Sequence, residues 1–252
     1  MLKTPLLSED LIERFHNNGY AVLRGGFDST DIQTIDQWAV ELENMPEVSG
    51  RQWVYHEKSL KEDGKNLICR IENISPFHDG FRELTGVLKA PVDQLLGEES
   101  VLFKEKVNFK MPGGDGFKPH QDSQAGWDKY ADFFISVLVC IDEATVENGC
   151  LQMVAGNHKR GLFSSWEPLT EKDMEGMEFV HCPTRPGDVV FFDCYAPHAS
   201  EPNMSDKTRR IYFATYNKLA EGDHLQSYYA DKHANYPPDI DRQLGKDYVF
   251  RV

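Results

Sequence analysis

The sequence contains no run of about 18 apolar residues, the length that a membrane-spanning helix needs, so no membrane span is predicted. The first residues, MLKTPLLSEDLIERF, become charged too early for a secretory signal peptide, and the cytoplasm is therefore the predicted location. No two of the five cysteines lie close enough for a CxxC motif. Most lie in apolar runs such as VLVCID, which favours buried thiols in a reducing compartment.

Basic residues are also scarce. The chain has 27 Lys and Arg against 41 Asp and Glu, which gives a formal net charge of -14. An acidic surface repels phosphate backbones and anionic lipid head groups, so neither nucleic acid nor a membrane surface is predicted as a partner. An anionic small molecule is not excluded, because a few buried Lys or Arg can set the electrostatic field inside a pocket.

No repeat, low-complexity segment or Pro/Gly/Ser linker divides the 252 residues, so a single domain over 1–252 is predicted. Helical patterns dominate about 1–98, where Ser8 and Ser29 are candidate N-caps and a third helix is predicted over about 81–96. Alternating strand patterns dominate about 99–217. The tail 218–252, rich in Tyr and Pro, is predicted to fold over a site as a lid. Helices followed by many strands predict a mostly β fold with N-terminal helices.

Three residues form a candidate metal site. His120 and Asp122 lie two apart in FKPHQDSQ, and residues i and i+2 of an extended strand point the same way. His198 follows the strand pattern of RPGDVVFFDCY, and an antiparallel return would bring it beside the pair. Two His and one carboxylate are the facial triad of non-haem iron(II) oxygenases, which leaves three positions for a bidentate cosubstrate and O2.

These three residues taken alone are also compatible with chance or with a different kind of site. HxD pairs often arise by chance, and nine His make coincidence easier. A zinc hydrolase uses similar ligands, although no HExxH motif is present. A non-catalytic, cupin-like metal- or metabolite-binding protein would also account for the pattern.

The surroundings narrow these alternatives. HQD at 120–122, ENGCLQMVAGNHKRG at 147–161, RPGDVVFFDCYAPHAS at 185–200 and the Arg pair at 209–210 occur in one order. Together they resemble the phytanoyl-CoA dioxygenase family of Fe(II)/2-oxoglutarate-dependent oxygenases, over roughly residues 10–217. The resemblance implies a double-stranded β-helix (jelly-roll, cupin-like) core and an enzyme that uses Fe(II), 2-oxoglutarate and O2.

The same resemblance implies roles for single residues. Iron is assigned to His120, Asp122 and His198. Arg209, eleven positions after His198, is assigned to the far carboxylate of 2-oxoglutarate, which a planar guanidinium can bind through two parallel hydrogen bonds. Ser200 is predicted to bind the same carboxylate, and Gln121 is predicted as a secondary cosubstrate contact.

Asp122 and Arg210 allow two further predictions, one on the reaction and one on a side chain's surroundings. Relatives that halogenate lack the carboxylate ligand, so its presence as Asp122 predicts hydroxylation. Arg210 points to the other face of its strand from Arg209, and a solvated surface charge is predicted there.

Candidate substrate contacts come from the strand VLFKEKVNFKM, whose polar residues share one face. That face is either a pocket wall or solvated. A solvated position is favoured for Lys104 and Lys106, while Asn108 and Lys110, nearer the HQD turn, are candidates for cosubstrate and substrate contact respectively.

Further candidates lie outside that strand. Arg70, in the apolar stretch CRIEN, is a candidate for the pocket. Trp127 and Tyr130 are predicted to form a lid or a cation-binding wall, with ordinary packing as the alternative.

A small polar substrate is predicted, because the acidic charge disfavours an acyl-CoA. The segments HQDSQAGW and YYADKHANYPPD resemble family members that hydroxylate 2-aminoethylphosphonate at the carbon next to phosphorus. Another amino-acid-like or acyl substrate is the alternative, and the protein is expected to be a monomer or a homodimer.

Overall fold

The computed structural model describes residues 1–248. Four α-helices and eleven strands lie in this part of the chain, and none of its helices is both long enough and apolar enough to cross a bilayer. Residues 249–252, at the end of the predicted lid segment 218–252, lie outside the described residues. All five cysteines are free thiols.

The helices are α1 (Glu9–Asn18), α2 (Ser29–Glu43), α3 (Asp79–Leu96) and α4 (Leu225–Asn235). The strands are β1 (Tyr20–Leu23), β2 (Trp53–Lys58), β3 (Asn66–Glu72), β4 (Ser100–Lys110), β5 (Phe117–His120), β6 (Phe134–Cys140), β7 (Leu151–Met153), β8 (Val180–Cys182), β9 (Val189–Asp193), β10 (His198–Ser200) and β11 (Arg209–Lys218). Short 3₁₀ helices cover Asp122–Ala125, Trp127–Lys129, Asn157–Arg160, Leu219–Glu221 and Asp239–Asp241.

Local signals explain the ends of the first helices. The Ser8 side chain accepts a hydrogen bond from the Leu11 amide, as predicted for an N-cap. Gly19 ends α1 with a left-handed φ of 82°. The predicted cap at Ser29 is wrong by one residue, because the Asp28 carboxylate accepts the amides of Thr30 and Asp31 instead.

The strands form two antiparallel sheets, which confirms the mostly β prediction. One has the order β1-β9-β6-β11-β4-β3-β2 and the other β5-β10-β7-β8. Three strands of the larger sheet come from the part predicted to be mainly helical. Only β1 has a strand signal in the sequence, the short run YAVLRG at 20–25. No strand was predicted for β2 and β3, whose burial does not alternate strictly, and alternation is the strand signal.

The larger sheet is covered on both faces. Since alternate residues of a strand point to opposite faces, Val137 and Val139 of β6 pack with the helices, whereas Leu138 packs with the smaller sheet. Ile35 of α2 and Leu88 of α3 belong to the helical layer and are fully buried. The face toward the smaller sheet is therefore the one that can hold a cavity.

Candidate active site

His120, Asp122 and His198 meet where β5 and β10 pair. The register places His198 opposite His120, and their ring centroids are 4.2 Å apart. Nε2 of His198 lies 3.8 Å from Oδ1 of Asp122. One ligand atom from each of the three residues lies within 4.8 Å of the others. This spacing and donor set fit three ligands around one divalent transition-metal ion.

The first two residues of this triad do not both lie on a strand, contrary to the prediction. His120 ends β5, and Asp122 begins a 3₁₀ helix. Gln121 between them has an extended backbone, with φ -111° and ψ 140°. The alternation of side chains therefore persists through this residue, and the imidazole and the carboxylate still point to the same side.

Backbone carbonyls orient both imidazoles. Nδ1 of His120 lies 2.7 Å from the Lys118 carbonyl, and Nδ1 of His198 lies 3.0 Å from the Ala196 carbonyl. A carbonyl can only accept, so each Nδ1 carries a proton and each Nε2 faces the position that a metal would take. Burial, and then the charge of neighbouring His198, lowers the pKa of His120, which keeps its ring in the neutral form that binds metals.

The Asp122 carboxylate is held from the larger sheet. The Ser136 hydroxyl donates to Oδ2 of Asp122 at 2.6 Å and lies 3.1 Å from the Thr215 hydroxyl. Burial alone would raise the pKa of Asp122, but the charges of His198 and Lys104 hold it below its ordinary value. The carboxylate is therefore ionised and fixed in orientation before any ion binds.

Arg209 lines the cavity in front of the three metal residues, at its inner end. It begins β11 opposite Lys110, is 5% exposed, and its Nε has no hydrogen-bond partner in residues 1–248. Burial lowers the pKa of Arg209 to about 10, so the guanidinium stays charged at neutral pH. A buried guanidinium with an unused donor calls for an anion, and a carboxylate such as that of 2-oxoglutarate fits it.

Three further polar residues accompany Arg209. Lys110 donates to the Ser200 hydroxyl at 2.8 Å and to the Glu201 carbonyl. Asn108 is buried, and its Oδ1 has no partner among the described residues. Ser200 and Asn108 therefore lie where a cosubstrate contact was predicted. Lys110, predicted as a substrate contact, lies instead at the Arg209 end.

Gln121 does not enter the cavity, so its prediction as a cosubstrate contact is wrong. Its side chain is fully buried, and its amide nitrogen donates to the carbonyls of Gly161 and Tyr195 at 2.8 and 2.7 Å. Its amide oxygen accepts the Phe163 amide at 2.9 Å. The side chain thus joins its own segment to two loops behind the metal residues, because the i+1 position of an extended segment faces away from them.

The cavity in front of the triad has a volume of about 570 Å³. Its cationic wall comes from β3, β4 and α4, and its mouth is aromatic and acidic. The charged and aromatic residues that line it besides the triad and Arg209 are Arg70, Lys104, Lys106, Phe117, Trp127, Lys129, Tyr130, Trp166, Phe213, Tyr228, Asp231, Lys232, Tyr236, Asp247 and Tyr248.

Lys104 and Lys106 face this cavity, so their prediction as solvated charges is wrong. Strand periodicity gave the correct shared face but did not show that this face is the inner one. Nζ of Lys104 lies 4.1 Å from the Trp127 ring, and Nζ of Lys106 lies 4.9 Å from the Phe213 ring. Neither lysine has an ion-pair partner within the described residues. Burial lowers the pKa of both, for Lys106 to about 7.

Arg70 also lies in the cavity wall, as predicted, and it belongs to a buried ion cluster. Its Nε lies 3.0 Å from the Glu72 carboxylate, which also accepts from Lys232 of α4. Burial would raise the pKa of Glu72, but Lys232 and Arg70 hold it at about 2. The Glu72 carboxylate thus pairs with two of the four cations in this wall, Arg70 and Lys232. The other two, Lys104 and Lys106, form no ion pair within the described residues.

Trp127 and Tyr130 line the cavity and also pack against neighbouring rings, and their role as a lid or cation-binding wall stays a prediction. Trp127 is 1% exposed and lies edge-on to Phe103. The Tyr130 hydroxyl donates to Asp231 of α4 at 2.7 Å. Residues of the predicted lid therefore do lie at the cavity mouth.

The prediction that Arg210 is a solvated surface charge is wrong. Its guanidinium donates to both carboxylate oxygens of Asp142 at 2.8 Å and to Asp36 at 2.6 Å. Its side chain is only 13% exposed. The residue faces away from the cavity, as its position after Arg209 requires, but it joins β11 to α2 rather than projecting into solvent.

Several cavity residues were missed by sequence reasoning. Glu72, two positions after Arg70, was detectable as an ion pair on one strand face. Lys232 lies inside the segment YYADKHANYPPD but was not singled out. Trp166 lies in a segment without helix or strand periodicity, and no local pattern indicated it.

The chain is similar to known proteins over most of its length. A family model described as phytanoyl-CoA dioxygenase matches residues 15–211. The 2-aminoethylphosphonate dioxygenase of an uncultured bacterium (HF130_AEPn_1) is 38% identical over 240 residues, covering 93% of this chain and 91% of that protein. The methylphosphonate hydroxylase of Gimesia maris is 34% identical over 234 residues, covering 91% of this chain and 88% of that protein.

Solved structures agree with the arrangement of the two sheets. EctD from S. alaskensis with 2-oxoglutarate and 5-hydroxyectoine aligns with a TM-score of 0.73 at 24% identity, covering 85% of this chain and 77% of that chain. The carbocyclase SnoK from nogalamycin biosynthesis aligns with a TM-score of 0.68 at 18% identity, covering 95% and 94%. These likenesses and the family match confirm the predicted double-stranded β-helix core.

Proposed function

The chain belongs to the phytanoyl-CoA dioxygenase family, and from that premise we propose that it hydroxylates 2-aminoethylphosphonate at the carbon next to phosphorus. As a member of the family it is an Fe(II)- and 2-oxoglutarate-dependent dioxygenase.

We assign the iron to His120, Asp122 and His198, and the far carboxylate of 2-oxoglutarate to Arg209 with Ser200. Iron held there with 2-oxoglutarate would supply the O2-dependent oxidation that turns the substrate C–H into C–OH, with 2-oxoglutarate converted to succinate and CO2. The carbonyls behind both imidazoles and the Ser136 hydroxyl fix the ligands.

The observation that carries the substrate proposal is the lysine pair Lys104 and Lys106, which line the cavity near Asp122 and form no ion pair within the described residues. Burial lowers the pKa of both lysines, for Lys106 to about 7, because water no longer stabilises the charged form; a bound anion would restore that charge and form the missing ion pairs. A phosphonate at neutral pH carries up to two negative charges on three oxygens. Lys104 and Lys106 thus match it in charge and in number of donors.

The residues at the mouth of the cavity support a substrate that carries an amino group. Asp247 and Asp231 supply carboxylates there, the latter already paired with Lys129, and the half-exposed ring of Trp166 can face a cation. A molecule with an anionic end and a cationic end matches this gradient from basic wall to acidic, aromatic mouth. The two phosphonate-acting relatives agree with the anionic end, and the first of them with the ammonium end.

The test is an anaerobic titration followed by turnover. Protein with Fe(II) and 2-oxoglutarate is mixed with 2-aminoethylphosphonate or methylphosphonate, the spectrum of the bound metal is recorded, O2 is admitted and succinate is measured. We expect a spectral change and one succinate per hydroxylated product with 2-aminoethylphosphonate. Turnover of methylphosphonate but not of 2-aminoethylphosphonate would contradict the proposal and indicate a phosphonate substrate without an amine.

A matched pair of variants tests the anion contact. Lys106→Met should raise the KM for the phosphonate about tenfold or more, because hydrogen bonds to charged groups contribute roughly 1.5–3 kcal/mol. The KM for 2-oxoglutarate should stay unchanged. Lys172→Met, an exposed change outside the cavity, is the control. Equal KM values for the two variants would refute the lysine assignment.

Two expectations drawn from the sequence stay predictions. They are the cytoplasmic location and the monomeric or homodimeric state.

A further inference from the structure

Trp166 has an unusual environment for a large aromatic residue. Its side chain is 46% exposed, and it lines the cavity in front of the metal triad. It also lines a second cavity of about 640 Å³, whose lining includes Lys110 and Glu57. The indole therefore belongs to both cavities, and both are lined by His120 and Arg209.

The backbone of Trp166 is strained. Its φ is 70°, in the left-handed region that bulky residues avoid. Strain of this kind persists only where the surroundings enforce it, and it is concentrated at ligand clamps and active sites. The conformation therefore needs both a structural cause and a reason for keeping a tryptophan at this position.

The structural cause lies in the loop that follows Asp122. The Trp166 amide donates to the Gln124 carbonyl at 2.6 Å, and the Gln124 side chain donates to the Glu167 carbonyl at 2.6 Å. A Cβ on Gly126 would lie 2.1 Å from the indole, so only glycine leaves room for the ring. The short helix that carries Asp122 thus holds the ring at the cavity mouth.

We propose that Trp166 is a substrate-contacting specificity residue whose indole face receives the cationic end of the substrate. This inference rests on the proposed function. With the phosphonate at Lys104 and Lys106, the ammonium is repelled from the basic wall and points toward the mouth. Tryptophan is the best aromatic partner for a cation, and two carboxylates line the same cavity, Asp247 and the Lys129-paired Asp231.

The experiment uses two variants that both remove the ring. Trp166→Gly suits the left-handed backbone and Trp166→Ala does not, so they separate loss of the ring from loss of local structure. Trp38→Phe is the control, because Trp38 also packs over a glycine, Gly80, but lies outside both cavities. The ligand pair is 2-aminoethylphosphonate and propylphosphonate, in which a methyl group replaces the ammonium.

Affinities are measured without O2, with Fe(II) and 2-oxoglutarate bound, and kcat and KM are measured with O2. Both Trp166 variants should bind 2-aminoethylphosphonate about three- to tenfold more weakly, while propylphosphonate changes much less. KM should rise more than kcat falls, the KM for 2-oxoglutarate should hold, and Trp38→Phe should match the wild type.

Three outcomes would overturn the inference. They are an unchanged affinity in both variants, an equal loss for both phosphonates, or a loss in Trp166→Ala that Trp166→Gly does not share. Each of these leaves the proposed function intact if the wild type still turns over 2-aminoethylphosphonate. A wild type that releases no succinate with this substrate overturns the proposed function itself and the inference with it.

Discussion

Arg209 and Arg210 are neighbours in the sequence with opposite surroundings. Arg209 faces the cavity with an unused donor, and Arg210 is bound to Asp142 and Asp36 on the other face. Their different roles follow from the alternation of side chains along β11. The Arg209 guanidinium is thus available to a ligand, whereas the Arg210 guanidinium binds β11 to neighbouring elements.

This pair provides a prediction at the residue scale. Arg209→Lys keeps the charge but loses the paired donors, so the KM for 2-oxoglutarate should rise about tenfold or more. Arg210→Lys should lower the melting temperature and leave that KM unchanged. Initial rates at varied 2-oxoglutarate measure the KM, and titration of 2-oxoglutarate into the anaerobic Fe(II) protein measures the corresponding Kd. A similar KM in both variants would place the cosubstrate elsewhere.

Residue types and spacing were enough to find the metal triad and Arg209, because strand alternation and antiparallel return are local rules. They did not determine which face of β4 is inside, so Lys104 and Lys106 were placed in solvent. They also did not distinguish Gln121 from its neighbours in HQD, since its burial depends on Gly161, Phe163 and Tyr195, remote in the chain.

At the scale of elements, α4 is joined to the sheet by buried polar contacts. Lys232 pairs with Glu72 of β3, and the Tyr229 hydroxyl donates to the Glu105 carbonyl at 3.0 Å. On the exposed side, Lys129 and Tyr130 both bind Asp231. The helix therefore forms part of the cavity wall, and its position depends on charges inside that wall.

Lys232→Met tests this dependence. Removing one partner of a buried ion pair leaves a buried carboxylate less compensated, at a cost of about 3 kcal/mol in the free energy of unfolding. Amide hydrogen exchange in 225–235 should become faster. The double variant Glu72→Gln/Lys232→Met should recover part of the stability. If it were no more stable than the single variant, the Glu72 charge would not be the cause.

At the scale of the whole molecule, charge is distributed unevenly. The chain carries a formal net charge of -14, yet the cavity wall is basic. The strand β4, which contributes Lys104 and Lys106 to that wall, carries a buried acid on its opposite face. Glu105 is 1% exposed and accepts the amides of Ile74 and Ser75 at 2.6 and 3.0 Å. Burial raises the pKa of Glu105 to about 7.

Glu105 should make stability depend on pH. Its folded-state pKa lies above the unfolded value, so the folded chain holds this proton more tightly, and stability falls as pH rises through about 4.5 to 7. Glu105→Gln should remove a decline of about 3 kcal/mol over this range. Urea unfolding of the metal-free protein at several pH values measures it, with exposed Glu147→Gln as the control. A profile parallel to the wild type would contradict the prediction.

The position of β11 in the larger sheet has a consequence for biosynthesis. This strand lies between β6 and β4, but it is the last strand of the described chain to be synthesised. Until it leaves the ribosome, β4 and β6 each present an unpaired edge, and exposed strand edges promote aggregation. The nascent chain therefore cannot close its central sheet until β11, Arg209–Lys218, has emerged, and chains that terminate before Arg209 should be insoluble.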